Sequence, residues 1–369
     1  MPSTHLIITQ RLDQPTYLIA TGLIRLGLNI DIIRCSDLPN VAVHTIDFKQ
    51  PNSSVKLDGA ELNALHSGYE LVWRRRIDEP SPPSFSYEQD DQEFIFRENS
   101  VFFDAVIHGV AQDAFWVNPL ESLGRADSKI NQTRLAIDEG FHVPPSLFSN
   151  SFEEIRSFIN SNKPHQTIYK PFRQMRWRLD KEKYALLPTT VVTVDNLPVP
   201  DVLQMTPGIF QARIEKAFEV RATFMGADYF AVAVDSQSSP ASMIDWRMRQ
   251  LDLPMEQHVL PDIIYNRCRN LMARLGLYFG AFDFIVTPTG EYVFLEVNER
   301  GQFTWLEASN SDFPLCDMMV QFLASGDAEF RYQPSERRFR FTDLINDPIY
   351  RDWMDSDRLK KAAEAAKAS

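Results

Sequence analysis

One segment of the sequence, residues 279–302, predicts a β-hairpin that carries three oxygen donors. Two apolar runs flank the turn sequence Pro288-Thr289-Gly290. Because side chains alternate between the faces of a strand, Glu296 and Asn298 share one face, and Asp283 lies on the partner strand. Carboxylate and amide oxygens, with no histidine or cysteine among them, suit Mg²⁺ that carries the phosphates of a nucleotide. The alternative is an ordinary hairpin whose polar face meets solvent.

Length and charge limit the classes of protein to consider. A chain of 369 residues predicts two or three packed domains. The net charge of −12 argues against a protein that binds nucleic acid through general electrostatics. The sequence has no apolar run of the roughly 18 residues that a membrane span needs and no pattern of a signal peptide, so we expect no membrane association.

The cysteines predict a reducing compartment. Cys35, Cys268 and Cys316 are far apart and form no Cys-x-x-Cys pattern, and no two histidines have the close spacing of a ligand pair. A disulfide scaffold and structural zinc are therefore disfavoured, and we expect a cytoplasmic protein.

The apolar patterns predict a parallel sheet at the start of the chain and mixed elements after it. Residues 6–8, 16–26 and 30–33 read as strand, helix and strand, an order typical of parallel pairing. A strand over 69–75, a helix over 90–114 and a strand over 115–119 follow. Later helices are expected over 127–139, 152–161, 262–275 and 315–324, and strands over 167–172, 189–194, 209–214 and, as a hairpin, 219–234. The domains predicted are 1–117, 118–205, 206–330 and a charged, partly helical tail, 331–369.

Two lysines have positions that suit phosphate binding. Lys170 ends an apolar strand, from which its ammonium can reach a nucleotide as a point charge. Lys129 follows Ser128 in the first turn of a helix, where the helix dipole disfavours a cation. The alternative for both is an ordinary exposed lysine.

A strand pair ahead of the metal hairpin offers groups for the rest of a nucleotide. Glu219 and Arg221 are two residues apart and face one way, so a carboxylate could accept from ribose hydroxyls and a guanidinium could hold phosphate. The backbone of residues 209–214 could meet an adenine edge. The alternative is a salt-bridged pair on a surface strand.

A basic stretch stands out in this acidic chain. It includes Arg173, Arg176, Arg178, Lys181 and Lys183, and the later Arg247 and Arg249 share its charge. Interleaved aromatic residues favour a lid that closes over a nucleotide and contacts a partner, and the alternative is a solvated face. The sequence shows no nucleophile with a matched base, so a mechanism without a covalent enzyme intermediate is preferred.

The order of these pieces resembles the ATP-grasp superfamily over roughly residues 118–324. The resemblance implies that Asp283, Glu296 and Asn298 hold Mg²⁺ and that Arg221, Arg247 and Lys170 act in catalysis. It implies that ATP is bound by Lys129, Lys170, Gln211, Ala212, Arg213, Ile214 and Glu219. The ordered combination is more specific than any one element.

Within that superfamily the chain looks most like the ligases that mature ribosomal peptides of the microviridin or graspetide type. The resemblance rests on Val72-Trp-Arg-Arg75, Asn118-Pro119, Asp245-Trp-Arg247 and residues 296–302. One departure is that residues 172–178, Phe-Arg-Gln-Met-Arg-Trp-Arg, replace a glycine-rich loop, so arginine side chains would take over phosphate contacts there.

The resemblance implies an α/β fold, with an N-terminal parallel-sheet pre-ATP-grasp domain followed by a two-subdomain (α+β) ATP-grasp fold. It implies a ligase that uses ATP and Mg²⁺, forms an acyl phosphate, and joins Asp or Glu side chains of a precursor peptide to Thr, Ser or Lys side chains, which closes a ring in the peptide. The expected partner is an acidic precursor peptide with leader and core, or a small carboxylate, and a homodimer is compatible with it. An amino-acid ligase and a non-catalytic nucleotide-binding module stay open as alternatives. Retention of all three metal donors argues against the module.

Overall fold

The computed structural model describes most of the chain. The described residues are 4–48, 54–57, 60–62, 69–83, 85–109, 111–173, 176–178, 184–186, 188–240, 242–244, 246 and 252–367. Side chains are described in these ranges except at 4, 54–57, 60–62, 176–178, 184–186 and 361–367.

The first part of the chain forms a four-stranded parallel sheet, with strand order β2-β1-β6-β7, and a small antiparallel sheet, β3-β4-β5. Its elements are β1 (Thr4–Thr9), α1 (Gln14–Arg25), β2 (Asn29–Arg34), β3 (His44–Asp47), β4 (Ser54–Leu57), β5 (Ala60–Leu62), β6 (Leu71–Arg74), α2 (Gln92–Gly109) and β7 (Phe115–Val117). The predicted strand–helix–strand opening is confirmed. The predicted 90–114 helix is shorter, at Gln92–Gly109.

Burial on both faces explains why the first strand is apolar throughout. Ile7 packs in one hydrophobic cluster and Leu6 and Ile8 pack in another, and all three are fully buried. Helix α1 starts with proline in its first turn and ends before Gly27, whose positive φ of 86° suits a residue without a side chain.

The middle of the chain forms a second, antiparallel sheet with order β12-β9-β13-β8. Its elements are α3 (Leu120–Asp127), α4 (Lys129–Asp138), β8 (Ser146–Ser149), α5 (Phe152–Ser161), β9 (Thr167–Lys170), the pair β10 (Arg176–Arg178) and β11 (Tyr184–Leu186), β12 (Thr190–Val192), α6 (Pro200–Met205) and β13 (Gly208–Ala212). Its hydrophobic cluster contains four buried residues, Ile155, Ile159, Leu203 and Phe210.

Two predicted strands end earlier than the sequence indicated. Strand β9 stops at Lys170 because the next residue is a proline, which cannot donate to the ladder. Strand β13 stops at Ala212, which pairs with Thr167, the first residue of β9, so no partner strand continues beyond it.

The following segment forms a five-stranded antiparallel sheet with order β16-β15-β14-β17-β18. Its elements are β14 (Phe218–Met225), β15 (Asp228–Val234), β16 (Met255–His258), α7 (Asp262–Leu275), β17 (Phe279–Val286), β18 (Tyr292–Asn298), α8 (Thr304–Ser309) and α9 (Leu315–Ser325). Both predicted hairpins are present. Helix α7 covers one face of the sheet and buries a large aromatic and aliphatic cluster with it.

The last two helices, α10 (Phe341–Asn346) and α11 (Pro348–Lys367), pack against α1 near the start of the chain. Asp357 is buried there and accepts hydrogen bonds from the Tyr17 hydroxyl and from the Leu12 backbone N–H at 3.0 Å. The predicted tail is therefore helical, and its part up to Asp357 packs against the start of the chain, while the domain boundaries stay predictions. Among the described helices, none is both long enough and apolar enough to cross a membrane.

Candidate active site

The two strands of the β17/β18 hairpin bring the three predicted metal donors together. Asp283 pairs directly with Glu296, at a point where the register shifts, and Asn298 lies two residues further along β18. The Asn298 amide donates to Asp283 Oδ2 at 3.1 Å and to Glu296 Oε1 at 3.4 Å. The sequence prediction that they share a site on the sheet agrees with this geometry, and their role as metal ligands stays a prediction.

Arg221 joins this group from the adjacent strand. It pairs with Asp283 in the β14/β17 register, and its Nη1 donates to both carboxylate oxygens at 2.8 and 2.7 Å. Its Nη2 donates to the Gln302 carbonyl at 3.1 Å. A Cβ on Gly301 would lie 2.9 Å from that Nη2 and 2.5 Å from the Ala281 Cβ, so only glycine lets the turn after β18 approach so closely.

Glu219 lies on the same strand but has a cation partner that sequence reasoning missed. Lys216 Nζ lies 2.5 Å from Glu219 Oε1, and both side chains are buried. Burial raises the pKa of Glu219 above its ordinary value, and Lys216 opposes this change. Since Lys216 precedes the strand, no strand alternation pointed to it.

Lys129 reaches the hairpin from the first turn of α4, which Ser128 caps. Its ammonium contacts the Glu296 carboxylate. Gln132, one turn later, holds the helix in register with the hairpin, because its side chain donates to the Val297 carbonyl at 2.8 Å and accepts from the Val297 N–H at 3.0 Å. The sequence indicated the lysine but gave no signal for the glutamine.

Lys170 lies on the other sheet. Its Nζ donates to the Gln211 side-chain oxygen at 2.9 Å, and the Gln211 amide donates to the Ser146 hydroxyl at 2.9 Å. Two residues predicted to bind nucleotide therefore contact each other across neighbouring strands.

The predicted adenine segment has two of its backbone donors already paired. The Ala212 N–H donates to the Pro145 carbonyl at 2.9 Å, and the Arg213 N–H donates to the Gln166 carbonyl at 2.8 Å. Adenine contacts at Ala212 and Arg213 would therefore use groups other than the backbone N–H. Ile214, the last residue of the predicted adenine segment, follows Arg213 directly.

Two buried polar side chains fix the turn beyond β18. Asn118 accepts from the N–H groups of Tyr278 and Phe279, each at 2.8 Å, and donates to the carbonyls of Phe279 and Glu299, each at 2.9 Å. Asn118, the first residue of the Asn118-Pro119 motif, therefore links the end of β7 to the start of β17 and to the turn after β18 through hydrogen bonds.

Arg75 is the second of these side chains. It is 1% exposed, and its Nη1 donates to the carbonyls of Arg300 at 2.9 Å and Gly301 at 3.2 Å. Its Nε lies 3.5 Å from Asp13 Oδ2. The Arg75 guanidinium is therefore buried and holds the backbone of this turn in place.

The proposed lid is described only in part. Arg173 is exposed and donates to Asp127 Oδ2 at 3.0 Å. Arg247, proposed for catalysis, and Arg249, Lys181 and Lys183 lie outside the described residues, as do the side chains of Arg176 and Arg178.

The donor set fits Mg²⁺ by its chemistry. In the described part of the chain, no group of three or more His, Cys, Asp or Glu side chains is arranged as a metal site. The candidate set differs in type, since it combines two carboxylates with an amide, all hard oxygen donors. Arg221 and Lys129 contact these carboxylates and balance their charge.

Comparison with known proteins supports the fold. No protein-family model matches the sequence, and no curated protein is significantly similar to it in sequence. Among solved structures, a RiPP-associated ATP-grasp ligase from Chryseobacterium gregarium, in complex with ADP and a leader and core peptide, has 24% identity and a TM-score of 0.79. The match covers 88% of this chain and 97% of that one.

Two further structures agree. The macrocyclase MdnC from Microcystis aeruginosa MRC, bound with precursor peptide MdnA, has 25% identity and a TM-score of 0.75, over 87% of this chain and 99% of that one. The ATP-grasp ligase PsnB, complexed with a precursor variant, Mg and ADP, has 18% identity and a TM-score of 0.66, over 88% and 99%. The predicted resemblance and fold class are confirmed.

Proposed function

We propose that this protein is an ATP-dependent ligase that joins side-chain carboxylates of a precursor peptide to hydroxyl or amine side chains of the same peptide. The observation that carries the proposal is the meeting of Asp283, Glu296 and Asn298 with Arg221 and Lys129, which come from separate parts of the chain. A fold similar to ligases solved with ADP and peptide supports the same reaction class.

The proposed roles divide the site between its two sheets. Lys129 and Lys170 hold ATP phosphates from opposite sides. Glu219 accepts from the ribose, and residues 211–214 line the adenine. Asp283, Glu296 and Asn298 would hold Mg²⁺, which supplies positive charge to phosphate oxygens when bound. Arg221 contacts Asp283 and Lys129 contacts Glu296, so the two cations balance the negative charge of these carboxylates and hold them in position.

The reaction has two balanced steps. A carboxylate oxygen of the peptide attacks the γ-phosphorus of ATP, and ADP leaves, which forms an acyl phosphate on the peptide. A hydroxyl or amine of the peptide then attacks the acyl carbon, phosphate departs, and the proton of the nucleophile passes to solvent or phosphate. Arg221, Arg247 and Lys170 act by stabilising the charge that develops on the transferred group, so no protein nucleophile is required.

The finer parts of the proposal concern the partner and the compartment. An acidic peptide suits Arg173, the one lid arginine whose side chain is described, because that side chain is exposed. The three cysteines are free and buried, which fits a reducing cytoplasm. The amino-acid ligase and the binding module are less well supported, because the similar chains named above are ligases bound to peptides.

A mass measurement with a matched pair of variants tests the function. The wild-type protein is incubated with ATP, Mg²⁺ and a short Thr- and Glu-rich peptide, chosen from any such reading frame found beside its gene, and intact mass and ADP are recorded. We expect the loss of one water for each bond formed. Glu296→Gln should lower turnover by at least about a hundredfold, or roughly 2.7 kcal/mol of transition-state stabilisation.

The control variant is Glu291→Gln, which changes an exposed carboxylate at the turn of the same hairpin. It should stay within about twofold of wild type, since its charge lies outside the donor set. A gain of one residue in mass would support the amino-acid ligase. ATP binding with no change of peptide mass would leave the binding module.

A further inference from the structure

A buried ion pair ties the connection between two sheets to strand β14. Residues 213–217 connect β13 of the four-stranded antiparallel sheet to β14 of the five-stranded sheet. The Lys216 ammonium in this connection lies 2.5 Å from Glu219 Oε1 on β14, and each of the two side chains is 8% exposed. The Ala217 N–H donates to the Val286 carbonyl of β17 at 2.8 Å. The connection is therefore held on the five-stranded sheet by a side-chain pair as well as by its backbone.

Stability alone does not explain this ion pair. Taking an ammonium and a carboxylate out of water costs free energy, and replacing such a pair by apolar side chains is often neutral or stabilising. Burial raises the pKa of Glu219, whereas Lys216 and then the buried Ser236 hydroxyl lower it. Asp283 on β17 acts in the same direction as burial. Lys216 is therefore the neighbour that most favours the charged form of Glu219.

The pair also lies between two segments assigned to the same nucleoside. Residues 211–214, proposed to line the adenine, end two positions before Lys216, and Glu219, proposed to accept from the ribose, follows three positions after it. Base and ribose are covalently joined, so the groups that contact them must be held at a fixed spacing. A charged carboxylate also accepts hydrogen bonds from hydroxyl groups more strongly than a neutral carboxyl does.

We propose that Lys216 is a positioning residue for ribose recognition, which keeps the Glu219 carboxylate charged and in place and so gives the site a preference for ribonucleotides over 2′-deoxyribonucleotides. The inference rests on the proposed function, in which Glu219 accepts from the ribose. It adds a residue and a specificity to that function, because Lys216 acts through Glu219, whereas Lys129 and Lys170 are assigned to the phosphates.

Nucleotide binding without turnover tests this role of Lys216. The probes are ADP and 2′-deoxy-ADP, each titrated by calorimetry with Mg²⁺ and without peptide. The wild-type protein should bind ADP at least about tenfold more tightly, since the 2′-hydroxyl donates to a charged acceptor. Lys216→Met, which replaces the ammonium with an uncharged side chain of similar length, should reduce this preference to under about threefold.

A second set of variants shows whether Lys216 acts through Glu219. Glu219→Gln alone should also reduce the preference to under about threefold. The double variant Lys216→Met/Glu219→Gln should then show the same preference as Glu219→Gln, because substitutions that remove one shared interaction are not additive. A merely structural role of Lys216 would instead weaken the binding of both nucleotides by one factor and leave their ratio unchanged.

Lys163→Met is the matched control, since it removes the charge of an exposed lysine in another part of the chain. It should keep the full preference. Circular dichroism shows which variants are folded. If Lys216→Met is unfolded, Lys216→Gln takes its place, because glutamine is uncharged and can still donate a hydrogen bond to Glu219. If neither variant folds, Lys216 serves stability and the proposal is overturned.

The proposal is also overturned if a folded Lys216→Met keeps the preference for ADP. Loss of the preference in Glu219→Gln would in that case leave the ribose role of Glu219 standing without Lys216. Equal binding of ADP and 2′-deoxy-ADP by the wild type would overturn the roles of both residues. Peptide mass is measured in parallel with ATP. A ribose preference that depends on Lys216, without an ATP-dependent change of peptide mass, would support this inference and count against the ligase function alone.

Discussion

The two sheets that carry the candidate site are held in place very differently. The five-stranded sheet is covered by α7 and buries a large aromatic cluster, and Asn118, Gln132 and Arg75 fix its hairpin and turn through backbone hydrogen bonds. The four-stranded sheet that carries Lys170 and Gln211 rests on a cluster of four buried residues. The difference predicts that the four-stranded sheet opens locally more readily than the five-stranded sheet.

Removing one large side chain from each core tests this contrast most strongly. Phe294→Ala empties a site that is 1% exposed in the larger cluster, and we expect a loss of about 3–5 kcal/mol in the free energy of global unfolding. Ile159→Ala, in the smaller cluster, should cost less globally and should speed hydrogen exchange mainly in Gly208–Ala212. Urea denaturation and amide exchange measure the two effects.

The comparison fails if both variants lower global stability equally and exchange rises across the whole chain. If Ile159→Ala speeds hydrogen exchange only in the four-stranded sheet, the contrast between the two sheets is strengthened, because the four-stranded sheet would then unfold independently of the five-stranded sheet.

The two lysines give an intermediate effect. Lys129 contacts Glu296 on the anchored half, and Lys170 contacts Gln211 on the other half. Each Ala variant should weaken binding of ATP by about tenfold, or roughly 1.4 kcal/mol. Only Lys129→Ala should also alter the Mg²⁺ dependence of binding, because it leaves the Glu296 carboxylate with one cation fewer.

Calorimetry at several Mg²⁺ concentrations separates these outcomes. Lys163→Ala, an exposed lysine in the same part of the chain as Lys170, is the control and should bind ATP normally. If the affinity for ATP is unchanged in both Lys129→Ala and Lys170→Ala, neither lysine binds nucleotide.

The smallest effect concerns the buried carboxyl of Glu219. Burial raises its pKa in the folded state, so its favourable contribution is fully present below its ordinary value of 4.5 and is lost as pH rises through the raised folded value. Glu219→Gln does not titrate. The free energy of unfolding of this variant, relative to wild type, should therefore increase with pH over that range.

Urea denaturation from pH 4 to pH 8 tests this trend, and the slope is the relevant quantity, since the substitution also changes the partner of Lys216. The difference in unfolding free energy between Glu219→Gln and wild type could instead be independent of pH or decrease as pH rises. Either result would mean that Lys216 lowers the pKa of Glu219 at least as much as burial raises it.

Much of the fold follows from local patterns in the sequence. Apolar alternation predicted both hairpins, and the order of strand, helix and strand predicted the parallel sheet. Helix α3 was not predicted, because it has only eight residues and contains Gly124, and the predicted 127–139 helix begins instead at Lys129, after the extended residue Ser128. A pattern that short gives little periodic signal.

The site was predictable where it depends on strand alternation and not where it depends on distant pairing. Asp283, Glu296 and Asn298 follow from a hairpin register. Arg75 reads as one of several arginines in the sequence, and its burial against residues 225 positions later could not be inferred from neighbours. Gln132 likewise acts on a backbone 165 residues away.

The contact between Asp357 and Tyr17 has a consequence for synthesis of the protein. The two residues are 340 positions apart, and α10 and α11 complete the hydrophobic cluster around α1. In a nascent chain, the face of α1 that α10 and α11 cover therefore stays uncovered until those two helices have left the ribosome. Pairing across so long a separation slows folding and leaves apolar surface exposed meanwhile, so chaperone demand during translation should depend on this final helix.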